Sequence, residues 1–261
     1  MFDFPHVERK TFSRNFLRTI IFQVSYDEMT DLTEKKSAIT TIFKDKFPRV
    51  DDKITNGIQI VISNDKTPIT RNIQDSKTGM SLEFKSSDGQ KVLSIERSQL
   101  TYTSSNKGYT NFESLVEDLS GITEFFSLCG IDNVKKVAIR KINSIDFKVG
   151  GNPTDTLAQL ISPDLLTNLY YIPNSNYIKQ NIQTINYQLE NHRLNVKYGL
   201  NIPPVPNSEI AQVIIDIDLF STDKIESNYV FMRATEINNE IFDIFNWTIS
   251  DNTKKILDGQ N

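Results

Sequence analysis

Two aspartates, Asp216 and Asp218, stand two residues apart in the apolar run Val213–Phe220. Side chains of an extended strand alternate between faces, so both carboxylates point the same way. Arg140, Ser144 and Asp146 lie at even spacings in a second run, Val134–Phe147, and also share one face. If the two strands are neighbours, three carboxylates and a guanidinium converge. Such a group can bind a hard divalent cation or divide acid and base roles. Asp216 and Asp218 are the metal candidates on that reading. The competing reading is a half-exposed sheet whose charges pair across strands, each pair worth ~0–1 kcal/mol.

A second set of residues is basic. Lys135, Lys136, Arg140 and Lys141 cluster in the same run, and Arg9, Lys10, Arg14 and Arg18 crowd the first 18 residues. Together they could form a local face for phosphates. The net charge of −4, with a pI near 5.4, argues against a dedicated nucleic-acid binder. His6 and His192 are the only histidines, one near a terminus and one in an expected turn, so neither is placed for catalysis. Cys129 stands alone at the end of an apolar helix and reads as a small buried hydrophobe. One cysteine allows neither an internal disulfide nor a cysteine-rich zinc site. There is no phosphate-binding glycine loop, no HExxH and no EF-hand loop. Seven tyrosines (Tyr102, Tyr109, Tyr170, Tyr171, Tyr177, Tyr187 and Tyr198) could stack bases or anchor a protein partner, or simply pack across strands.

Alternating strands and amphipathic helices must position these residues. Phe16–Tyr26 alternates with period two and reads as a strand. A helix over Glu34–Lys46 follows, capped by Thr33 and ended by Pro48. Four strands are expected at Ile58–Ser63, Met80–Lys85, Val92–Glu96 and Leu100–Thr103. Asn64–Gly79 reads as a polar loop, and Asp88-Gly89 as a two-residue hairpin turn. Phe112–Leu128 is expected to be one helix closed by Gly130. The order then repeats. A strand covers Val134–Phe147, the chain breaks at Gly150–Pro153, and Ser162-Pro163 opens a short helix to Tyr171. Strands follow at Asn181–Leu189, Leu194–Leu200 and Ala211–Phe220, the last two separated by the stiff Ile202–Pro206. A long helix spans Thr222–Trp247, with Ile225, Tyr229, Met232, Ile237, Ile241, Ile244 and Phe245 inward, and Ser250 caps a last one carrying Ile256 and Leu257.

These elements predict an α+β protein of two similar β-α-sheet-α halves, residues 1–130 and 131–261, with antiparallel curved sheets and a long helix on each. The element order resembles TATA-binding-protein-like or helix-grip layouts, and leaves open whether the sheets stay separate or merge. Hydrophobic content of 38% is enough for a core in a chain of 261 residues. No apolar run is long enough to span a bilayer and no secretory leader is evident, so a cytoplasmic location is expected.

Several segments together resemble a sporadically distributed family of bacterial proteins known only by a numbered label. They are Arg18–Tyr26, Phe47-Pro48, Ser87–Gly89, Tyr109 with Phe112, and Val137–Phe147. The family's Arg-Tyr-x-Asn appears as Arg140-Lys141-Ile142-Asn143, departing at the aromatic position. The resemblance implies a cytoplasmic bacterial accessory protein, of a kind encoded near mobile or defence genes, and assigns no catalytic residue. The candidate binding residues are then Lys135, Lys136, Arg140, Lys141, Asn143 and Asp146. The expected function is a binding module for a macromolecule, a protein or a second copy of the chain. Nucleic-acid binding, a metal-dependent enzyme and a small ligand between sheet and helix are alternatives. No cofactor is expected.

Overall fold

Alternation of apolar and polar side chains builds the centre of the molecule. In the computed structural model, strand β1 (Leu17–Tyr26) turns Ile20, Phe22, Val24 and Tyr26 to one side, where each is almost fully buried. Strand β8 (Asn133–Lys148) lies antiparallel beside it, with Phe22 opposite Ile139 and Val24 opposite Val137. Removing such a side chain from water stabilises by about 1.5–3 kcal/mol, and these strands supply the middle of one continuous core. The structure describes residues 2–10, 12–55, 59–62, 68–71, 79–148, 152–166, 178–201 and 210–259, and the backbone alone between 52 and 80.

Around β1 stand β2 (Arg49–Thr55), β5 (Gly79–Lys85), β6 (Lys91–Glu96) and β7 (Gln99–Ser105); around β8 stand β9 (Gln180–Leu189), β10 (His192–Asn201) and β11 (Ile210–Ser221). A single antiparallel sheet runs β2-β5-β6-β7-β1-β8-β11-β10-β9, and the short β12 (Ile225–Glu226) pairs with β8. The chain is therefore a mixed α/β protein whose sheet passes without interruption through the β1–β8 pair. Counting outward from that pair, each flank holds its first strand, then its last, then the earlier ones in reverse. Strands β3 (Gln59–Ile62) and β4 (Pro68–Arg71) make a separate hairpin.

Helices pack on the apolar face. Helix α1 (Leu32–Phe43) sets Phe43 against Phe84, and α3 (Ile122–Cys129) sets Phe125 and Phe126 against Tyr26. Helix α5 (Val230–Thr248) crosses β8 and β11. Helices α4 (Pro153–Leu160) and α6 (Asp251–Leu257) pack together, α4 also against β10 and β11. No described helix is long and apolar enough to cross a membrane.

Several elements differ from expectation, for local reasons. Thr33 lies inside α1, whose N-cap is Asp31. Strand β2 was not anticipated; Asp51 and Asp52 are poor strand formers, tolerated at a sheet edge. Within the expected loop Asn64–Gly79, Pro68–Arg71 is a strand, while 63–67 and 72–78 lie outside the described residues, as does Ile58. At the β5–β6 turn only Gly89 has positive φ; Asp88 instead accepts hydrogen bonds from Ser86 Oγ (2.6 Å) and the Gln90 amide (3.0 Å). The expected helix Phe112–Leu128 is two, α2 (Phe112–Asp118) and α3. They break at Gly121, where a Cβ would stand 2.5 Å from Ile42 Cγ2. Pro153 opens α4 instead of ending a break, and Ser162-Pro163 opens only a 3-10 turn, Pro163–Leu165; 167–171 lie outside the described residues. The long helix starts at Val230, because Ile225–Glu226 pair with β8 and Ser227–Tyr229 form a 3-10 turn. Tyr229 and Met232 consequently face solvent.

Candidate functional site

The other face of the sheet is polar, and its centre holds the residues that the sequence singled out. Register places Arg140 of β8 opposite Ile21 of β1 and Asp218 of β11. The Arg140 guanidinium reaches diagonally to Asp216, with Nε donating to Oδ1 at 2.8 Å and Nη2 to Oδ2 at 2.6 Å. This two-pronged, charge-assisted contact suits a planar fork on a carboxylate. Asp216 is nearly buried, and the hydrogen bonds it accepts push the already high pKa of Arg140 further up. Asp218 accepts from Asn195 Nδ2 at 3.3 Å; burial raises its carboxyl above the ordinary range. Asp146 accepts from Arg18 (2.6 Å), Ser144 (3.1 Å) and Gln212 (3.2 Å). The ammonium of Lys136 donates to Gln23 at 2.9 Å and stands 4.5 Å from the Phe220 ring centroid.

The expected neighbourhood of β8 and β11 is therefore present, and its charges are spent on one another. Both oxygens of Asp216 are held by Arg140, and Asp146 is bonded to its own neighbours. Among the described residues no group of three or more acidic, histidine or cysteine side chains is arranged to hold a metal ion.

Charge continues to alternate toward the edges. By register this face carries Arg49, Lys53, Lys85, Lys136, Arg140, Lys148, Arg193 and Lys197 against Asp51, Glu83, Glu96, Asp146, Asp216, Asp218 and Glu226. Lys85 pairs with both Asp51 (3.0 Å) and Glu83 (2.8 Å). Between the charges lie short polar side chains: Gln99, Thr101 and Thr103 on β7, Gln23 and Ser25 on β1, Thr184, Asn186 and Gln188 on β9. The face offers hydrogen-bond donors and acceptors in quantity, with charges of both signs interleaved.

The remaining candidates go elsewhere. Lys135, at a bulge, is ion-paired with Asp27. Lys141 and Asn143 point to the helix side, since they share the parity of Ile139 and Ile145. Lys141 Nζ donates to Asn238 Oδ1 on α5 at 2.7 Å, and Asn143 Nδ2 donates to the Ile215 carbonyl at 3.3 Å. The basic residues thus divide between opposite faces. Arg9, Lys10 and Arg14 lie with Lys141, and Arg18 lies with Asp146.

Among the described residues, the singled-out tyrosines do not decorate the polar face. Tyr102 and Tyr198 are buried on the helix side, Tyr102 donating to Asp118 at 2.7 Å and Tyr198 to the Leu165 carbonyl at 3.0 Å. Tyr109 is buried as well, and Tyr187 packs against Phe2 and Phe4. Tyr170, Tyr171 and Tyr177 lie outside the described residues. His192 opens β10 and is buried, not a surface turn residue; its Nε2 lies 3.2 Å from Arg233 Nη1, and burial lowers its pKa. His6 rests 3.3 Å from Asp243. Cys129 is half-buried, and that burial pushes its thiol up, away from the thiolate a nucleophile needs.

Sequence reasoning missed a cavity on the helix side, of about 250 Å3, between the N-terminal arm, the loop before α2 and helix α5. A signal for it existed: a lysine and an asparagine, Lys141 and Asn143, at strand positions whose parity is otherwise apolar. No protein-family model matches this chain, and no curated protein matches it.

Proposed function

We propose that the protein is a binding module, an accessory rather than a catalyst, that engages another protein through the open polar face of its central sheet. The observation that carries this reading is the interleaving of bases and acids across that face in nearly equal number, with its central ions already paired. A nucleic-acid footprint needs an excess of unpaired Lys and Arg to displace counterions. A non-obligate protein interface is on the whole no more apolar than the rest of a protein surface, so a mixed polar face can serve as one. The described tyrosines among the anchors expected from sequence have no part in it. The anchors would be the exposed Lys197, Thr184 and Asn186 with the ionic centre around Arg140.

The same reading extends to the fold. We take the flanks of the sheet as halves of a duplicated, TATA-binding-protein-like layout, residues 1–130 and 131–261, meeting at β1 and β8. The matching strand order on each flank supports this. Membership of the numbered bacterial family that the sequence resembles, with action in the cytoplasm, belongs to the same proposal.

The test is affinity purification from the native host at near-endogenous expression, with protein and nucleic acid both identified. It is repeated with a chain carrying Asn186→Arg and Lys197→Glu, two exposed positions whose change leaves the core untouched. A stoichiometric protein lost with the double variant is the expected result. Recovery of nucleic acid alone, or a partner indifferent to the double variant, overturns the proposal.

A further inference from the structure

The cavity on the helix side has an unusual electrostatic make-up. Among the described residues its walls include four basic side chains, Arg9, Lys10, Arg14 and Lys141, and no carboxylate. The rest is largely aromatic and aliphatic, with Phe112, Phe242 and Phe245 prominent. The acids that bear on it lie outside the walls. Asp258 is bonded to Lys10 at 2.6 Å, and Glu113 is exposed on α2.

Lys141 stands on the sheet that forms one wall. One of its three ammonium hydrogens goes to Asn238 Oδ1, and the nitrogen lies 5.9 Å from the Tyr109 ring centroid. Among the described residues no carboxylate is ion-paired with it. Burial, and then the charge of Arg9, pull its pKa down to about 7, with Glu113 opposing. A half-buried lysine without a paired carboxylate is an electrostatic deficit that an anion would relieve. Arg9 closes the cavity from the arm, donating to Asn239 Oδ1 at 3.0 Å with its guanidinium 6.0 Å from the Phe242 ring centroid. The arm itself is tied down. The Val7 amide donates to Asp243 (2.9 Å), and the Arg14 amide and Ser13 hydroxyl donate to the Leu257 carbonyl (3.1 and 2.9 Å).

We propose that this cavity binds a small organic anion with a flat apolar body, its carboxylate or phosphate held by Lys141 and Arg9 and its body among Phe112, Phe242 and Phe245. The size points to a small molecule rather than a polymer. At about 30 Å3 per liquid water, the space corresponds to roughly eight waters. Apolar walls with a few convergent polar groups are the usual composition of such sites. The cavity lies across the sheet from the proposed protein-binding face, so the two proposals stand or fall separately.

The experiment uses the full chain and calorimetric titration with 2-naphthoate, 2-naphthyl phosphate and the neutral 2-naphthamide. Saturable one-to-one binding of at least one anionic probe is expected, with the amide about tenfold weaker or more, as loss of a charge-assisted contact implies. Lys141→Met and Arg9→Gln should each weaken the anion about tenfold, and Lys197→Glu, on the other face, should not. Arg9 sits on the exposed arm, so its variant keeps the test decisive if the Lys141 variant fails to fold. Equal affinity for amide and naphthoate overturns the proposal, as does unchanged anion binding in a cooperatively folded Arg9→Gln chain. Failure of both anionic probes to saturate at millimolar concentration overturns it too.

Discussion

Replacing Glu240 with glutamine should stabilise this protein at neutral and alkaline pH and do little in acid. Glu240 lies on α5, is only 7% exposed, and neither carboxylate oxygen has a hydrogen-bond partner. Burial raises its pKa from 4.5 to about 7, and the charge of Asp243 adds to that. The Phe2 amide lies near enough to favour the ionised form, though without hydrogen-bond geometry. Because the folded pKa is the higher one, the unfolded chain releases its proton first as pH rises. Stability from this group is intact below pH 4.5 and falls as pH climbs through about 7, beyond which the penalty is complete. At about 1.4 kcal/mol per pH unit, the gap between the two pKa values sets a ceiling of ~3 kcal/mol. Relaxation and water entry reduce that, so a gain of ~1–3 kcal/mol is expected for Glu240→Gln at about pH 8, shrinking to under ~0.5 kcal/mol at about pH 4. Urea denaturation of both proteins across that range measures it. A variant no more stable than the parent at the alkaline end, or a difference that ignores pH, would refute the reasoning.

Two further perturbations probe the frame. Gly199 sits in β10 at φ +144°, and a Cβ there would stand 1.9 Å from the Asn181 carbonyl oxygen across the β9–β10 pairing. Gly199→Ala should therefore cost at least ~3 kcal/mol or abolish cooperative unfolding, as seen by thermal melting; a melt within a degree or two of the parent would contradict the backbone geometry. Tyr102→Phe removes the donor to Asp118, which also accepts from Lys91 at 2.9 Å inside the N-terminal half of the core. Chemical denaturation should show a loss of ~1–2 kcal/mol, the expected cost of under-satisfying a buried carboxylate that keeps its cation.

What the sequence determined follows from local periodicity. Alternation in Phe16–Tyr26 and Val134–Phe147 was enough to place both central strands, and to put Arg140, Ser144 and Asp146 on one face with Asp216 and Asp218 able to meet them. Motif and composition, not alternation, argued against a phosphate loop and a cysteine-rich site. Where the pattern was weak, reading failed for physical reasons. Asp51 and Asp52 hide an edge strand, and the helix expected over Phe112–Leu128 divides near Gly121, where Ile42, from a distant segment, occupies the space a side chain would need. Strand pairing alone decided that Ile225–Glu226 belong to the sheet rather than to α5.

The functional chemistry was decided almost wholly by tertiary structure. Sequence proximity grouped Lys141 with Arg140, yet successive strand residues point to opposite faces, so one joins an ion pair on open sheet and the other a buried cavity. The arm that brings Arg9 over that cavity comes from more than a hundred residues away, held by contacts to Asp243 and Leu257 that no local pattern encodes. Tyr102 and Tyr198 went inward because the register that buries Phe22 and Ile139 carries them onto the same side. Composition and period specify which side chains can share a face. Only the order in which the strands assemble, and the side the helices choose to cover, specifies what those faces meet.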